Sequence, residues 1–177
     1  MRPIGFAFLC AVSLAAQTAD PAYAFLSKAY ERARALDYEA AIEGFSKAAE
    51  TSPLRADIRK NLAYTLLKVG ETEAARDQFA EAMRLDPADR HVALEFAFLA
   101  NETGQQRVAR LVFDRVRTSN AEARVRATAE QAFQNVDRPL AEGITRWQQA
   151  LAGDANNFSA HEELSRLAER AAGCDSF

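Results

Sequence analysis

Two histidines, two cysteines and 25 carboxylates are the groups on which this 177-residue chain could build an active site or a metal centre. His91 and His161 stand 70 residues apart, and neither has a cysteine or a second histidine at ligand spacing, so no metal is expected. Cys10 lies in an N-terminal apolar run and Cys174 in the C-terminal tail, too few thiols for a disulfide framework. Nucleophilic and phosphate chemistry lack their motifs: there is no glycine-rich loop and no strand that could carry a nucleophile elbow. Glu71, Glu73, Asp77 and Glu81 recur at helical spacing with Arg76 and Arg84 between them, the pattern of a solvated, ion-paired face. The inventory predicts a protein without catalytic residues or cofactor. One set of residues does offer binding chemistry: Tyr30, Tyr64 and Phe98 recur every 34 residues, with Leu26, Lys60 and Leu94 four positions before them.

What those rings can do depends on the elements that carry them, and the 34-residue interval governs nearly the whole chain. Phe45, Phe79, Phe113 and Trp147 keep it; so do the small residues four positions before each (Ala41, Ala75, Ala109, Gly143) and those three after (Ala48, Ala82, Val116, Ala150). Residues spaced by four and three share one helix face, so each unit carries a helix with a bulky knob between two places of close approach. These positions are the expected core of the repeat. A second helix precedes each of them: Asn61 to Leu67 is apolar at helical spacing and runs to Gly70, which, like Gly104, suits the left-handed residue that closes a helix. Pro53 and Pro87 separate the units, because proline ends one helix and suits the start of the next. The unit is a helix hairpin.

This pattern resembles the tetratricopeptide repeat family, most fully over residues 56–89 through Leu62, Ala63, Gly70, Ala75, Phe79, Ala82 and Pro87. The resemblance implies an all-α, right-handed solenoid of antiparallel helix hairpins, with repeats at 22–55, 56–89, 90–123 and 124–157, a terminal helix at 158–172 and a tail at 173–177. It also implies that Tyr30, Tyr64 and Phe98, with Leu26, Lys60 and Leu94 on the same side, line a concave groove. Such a trough, apolar and mildly basic, suits an amphipathic or extended peptide, since aromatic anchors lose little conformational entropy. Rings packed between neighbouring helices would show the same spacing. The family's carboxylate clamp for acidic chaperone tails needs Lys and Asn where this chain has Leu26 and Tyr30, so Lys60 and Asn61 alone predict no such clamp.

Departures from the pattern fall mainly in the fourth unit. Leu36 and Arg138 replace the hairpin glycine of the first and fourth repeats, and Asp137 followed by Pro139 makes a different helix start. Glu130, Gln131 and Gln134 stand where the second repeat has Leu62, Ala63 and Leu66. The terminal helix turns His161, Leu164, Leu167 and Ala168 to one side, while Glu162, Glu163, Arg166, Glu169 and Arg170 suit the solvated face of a cap.

Composition excludes several classes. With 49% apolar and 27% charged residues the chain is globular, and seven Gly and five Pro are too few turn-formers for a many-stranded sandwich or barrel. A net charge of -3 supplies no field for a phosphate backbone, so nucleic acid is not an expected partner. Ile4 to Ala16 carries no charge but falls short of the roughly 20 residues a membrane span needs; it resembles the apolar core of a secretory signal. Small residues at the last and third-last places favour cleavage after Ala24, with Ala22; Ala19 is a second candidate, weakened by Gln17. Residues 1–24 are thus read as a signal whose removal leaves no membrane span, and 25–172 as the array. The expectation is an exported, non-catalytic scaffold for a protein or peptide partner, in the periplasm or at the surface of a bacterial cell. The alternative is the N-terminal repeat region of a longer envelope, export or enzyme protein.

Overall fold

A computed structural model of the chain describes residues 20–172; the apolar run around Cys10, and the tail with Cys174, lie outside the described residues. Eight helices and no strand make up the described part: α1 (Tyr23–Arg34), α2 (Tyr38–Thr51), α3 (Ala56–Lys68), α4 (Thr72–Leu85), α5 (Arg90–Glu102), α6 (Gln106–Arg117), α7 (Ala123–Gly153) and α8 (Phe158–Ala171). Each packs chiefly on its neighbours in the chain, as a solenoid requires.

The first three hairpins close by one backbone device. Leu36, Gly70 and Gly104, 34 residues apart, all take the left-handed conformation, with φ of 61°, 82° and 83°. The N–H that follows each then reaches back five residues to a helix carbonyl: Asp37 to Arg32, Glu71 to Leu66 and Gln105 to Ala100. Leucine thus performs the turn that glycine makes elsewhere, at the steric cost of a Cβ in that region. Starts are set by side chains: Asp37 accepts from the Ala40 N–H and Asp89 from the Val92 N–H.

The knob columns form the core. Ala41, Phe45, Ala48, Ala75, Phe79, Ala82, Ala109, Phe113 and Val116 are all buried. Two clusters divide them: one around Phe45 with Ile58 and Leu62, the other around Phe79 and Phe113 extending to Phe133 of α7. Backbones approach closely at Gly44, where an added Cβ would stand 2.9 Å from the Ala29 Cβ.

The fourth repeat is not a hairpin. α7 runs unbroken for 31 residues with Pro139 inside it, so the expected unit 124–157 becomes one long helix covered by α8. Two local causes coincide. Arg138, like Leu36, lacks glycine's ease in the left-handed turn, and here the polar Glu130, Gln131 and Gln134 replace the apolar side chains that a returning helix would meet. The fourth column meets α8 instead: an added Cβ on Gly143 would touch Leu167 at 3.3 Å. Gly143, Trp147 and Ala150 are accordingly only half-buried, unlike their nine counterparts. α8 runs back along α7, donating to Gln106 Oε1 from Arg170, and its Ala171 carbonyl accepts from Arg110 at 3.2 Å.

Candidate functional site

The aromatic column is both packed and open. Tyr30, Tyr64 and Phe98, on the first helices of the three hairpins, remain 41%, 39% and 42% exposed. Each meets the buried phenylalanine of its own hairpin edge to face, at centroid distances of 5.1 Å to Phe45, 4.9 Å to Phe79 and 5.0 Å to Phe113. Such pairs contribute about 0.5–1.5 kcal/mol each and fix the orientation of the outer ring. The rings therefore stand preset, with one side held by the core and the other wet.

Polar partners from the next hairpin hold the two phenols. Asn61 Nδ2 donates to the Tyr30 hydroxyl at 2.7 Å, and the Tyr64 hydroxyl donates to Glu95 Oε1 at 3.3 Å. Burial, then the Glu95 carboxylate, pushes the Tyr64 phenol up to about 12. Burial, then Asp57, also raises that of Tyr30. Both phenols are thus neutral in any physiological medium. Beside them a cleft of about 350 Å³ is lined by Tyr30, Arg34, Tyr38, Asn61, Tyr64 and Lys68. Arg34 and Lys68 share one repeat position, and among the described residues neither forms an ion pair. Glu102 takes that place in the third repeat, so the free positive charge is confined to the first two.

The three residues expected beside the rings are placed otherwise. Leu26 and Leu94 are 8% and 7% exposed and belong to the two cores, not to an open surface. Lys60 is held by Asp89, the N-cap of α5, at 2.9 Å, which makes it a joint between hairpins. Burial works against the Asp89 carboxylate, but the Lys60 hydrogen bond and the helix N–H groups outweigh it and hold the group below the usual carboxylate range. Glu95, Arg34 and Lys68 escaped the sequence reading, and Asn61 entered it only as part of an incomplete clamp, although Asn61 with Glu95 and Arg34 with Lys68 keep the 34-residue interval. Their signal was the period itself, since a polar residue repeated at one helix position marks a shared environment.

The titratable groups outside this column stay apart. His91 is exposed, and the His161 ring nitrogen lies 3.0 Å from the Ala155 carbonyl. Among the described residues no group of three His, Cys, Asp or Glu is placed to hold a metal ion. Asp77 pairs with Arg76 and Glu81 with Arg84 on the surface. None of the described helices is long and apolar enough to cross a membrane.

Hairpins of this geometry recur in solved structures. The chain superposes on MamA with a TM-score of 0.61 over 86% of its own length and 83% of that chain, at 14% identity. A tetratricopeptide repeat protein from Parabacteroides merdae gives 0.60 over 88% of this chain and 60% of that one, at 13% identity. The chain folds as a tetratricopeptide-repeat array. The TPR2B domain of yeast Sti1, in a complex with pHsp70, matches with a TM-score of 0.55 over 67% of this chain and 98% of the domain, at 18% identity. No family model and no curated protein matches the sequence.

Proposed function

We propose that this chain is a non-catalytic interaction module that holds an extended peptide or protein segment across Tyr30, Tyr64 and Phe98, in the envelope of a bacterial cell. The observation that carries it is that three rings at one repeat position are each locked on a buried phenylalanine yet stay about 40% exposed. A surface built only for packing would cover them; one preset for binding loses little rotamer freedom when a partner arrives. Arg34 and Lys68 beside Tyr30 and Tyr64 favour a segment that carries a carboxylate next to its apolar residues. The Sti1 domain complexed with pHsp70 is a precedent for partner capture on this fold. The envelope setting rests on the resemblance of residues 4–16 to a secretory signal.

The test is capture from envelope extracts by the chain and by a Tyr64→Ala, Phe98→Ala variant. The same partner should be retained by the parent and lost, at least tenfold, by the variant, while its far-UV circular dichroism is unchanged. Equal loss of helix and of capture would assign the rings to packing.

A further inference from the structure

We propose that maturation of this chain hydrolyses the Ala19–Asp20 bond and leaves Asp20 as its first residue; this rests on the export reading above. Residue types alone prefer the later site, because Ala22 and Ala24 occupy the third-last and last places before it. The structure gives Ala22 another reason to be small. It is 0% exposed and packs in the first core with Leu26, Ile58 and Leu62. A larger side chain is excluded there by packing, so the Ala22-Tyr23-Ala24 pattern no longer needs a protease to explain it.

The residues between the two sites are structural. The Asp20 carbonyl accepts from the Tyr23 N–H at 3.0 Å and its Oδ1 accepts from the Ala22 N–H at 3.0 Å, which organises the first turn of α1. Its Oδ2 pairs with Arg55, the N-cap of α3, and so ties the first turn of one hairpin to the start of the next. The Ala22 carbonyl accepts the Leu26 N–H at 2.9 Å. The repeat frame agrees: Ala56 and Arg90, which hold Ala22's place in the next two units, are the first residues of α3 and α5. A cut after Ala24 would delete a buried core residue, an interhairpin ion pair, and the N-cap and first two residues of α1. A cut after Ala19 keeps all of them. In the reaction water adds across the bond, leaving a carboxylate on Ala19 and an amine on Asp20, and the protease is one that requires a small residue before the cut and accepts Gln17 in the third-last place.

The experiment is to express the full chain with a C-terminal tag in a Gram-negative bacterium, isolate it from the periplasm and determine its intact mass and N-terminal sequence. A single species beginning Asp20-Pro21-Ala22 is expected. A species beginning at Phe25 overturns the proposal and leaves export standing, whereas an unprocessed chain held in the cytoplasm overturns both. A second arm is independent of export: chains produced to start at Asp20 and at Phe25 are melted side by side. The shorter one should melt at least about 5 °C lower, and equal melting would overturn the structural basis of the proposal.

Discussion

Phe79 and Trp147 hold the same place in the 34-residue unit, and their surroundings differ, so truncating each to alanine measures whether α7 stays unbroken at Pro139. Phe79 is 0% exposed, lies between the fully buried Ala75 and Ala82 on its own helix face, and takes the edge-to-face contact from Tyr64. Phe79→Ala should cost about 3–5 kcal/mol, the usual range for a buried ring, with about 0.5–1.5 kcal/mol of that from the aromatic pair. Trp147 is only half-buried, on the part of α7 that α8 covers. Trp147→Ala should cost about 2 kcal/mol, roughly half the fully buried value. Urea unfolding followed by far-UV circular dichroism, with a shared slope, resolves that difference. If both substitutions cost the same, the fourth unit closes as a hairpin and the continuous α7 is refuted. A cost below about 1.5 kcal/mol for Phe79→Ala would refute the assignment of the column to the interhelix core.

Leu36→Gly should stabilise the chain by about 1 kcal/mol, read as a raised melting temperature, because it relieves a Cβ at φ 61° while giving up a side chain that is 70% exposed. The Tyr64 phenol should ionise near 12, and Glu95→Gln should lower it only in part, because burial, the larger cause, remains, as followed by absorbance at alkaline pH. Because that folded-state value is raised, its stabilisation is whole below 10.0 and is lost as the pH climbs through about 12. Asp89→Asn keeps a capping oxygen but removes the pairing with Lys60. Asp89 titrates below its ordinary 3.8, so the parent's advantage over this variant should be present at neutral pH and vanish as the pH falls through the lowered value, as shown by paired urea titrations.

The first three hairpins were legible because a helix face is read directly from spacing: small, aromatic and small residues at fixed intervals can be satisfied only by a partner helix. The fourth was not, although its columns are equally regular. Periodicity locates the knobs and is silent on whether the chain turns between two helices; Leu36 shows that the turn survives without glycine, so the difference lies in the face at 130, 131 and 134, where Glu and Gln replace apolar side chains. The rings of the candidate site were found for the same reason as the core, by their interval. Their flanking residues were misplaced because an interval shows that Leu26, Lys60 and Leu94 are equivalent without showing what they face. Burial of two of them and the pairing of the third with Asp89 are properties of the stacked hairpins, not of one helix.

Arg110 gives the straightened helix a dynamic consequence. In a simple stack each polar tie spans about one unit, as with Arg76 to Thr103 over 27 residues; Arg110 makes the equivalent tie to Asp137 and also holds the Ala171 carbonyl, 61 residues away. Arg170 to Gln106 spans 64. Two hydrogen bonds thus tie α8 back to α6 in addition to its packing on α7. Amide hydrogen exchange should show α6, α7 and α8 opening together as one unit, while the N-terminal hairpin, which among the described residues has no tie of this reach, opens on its own.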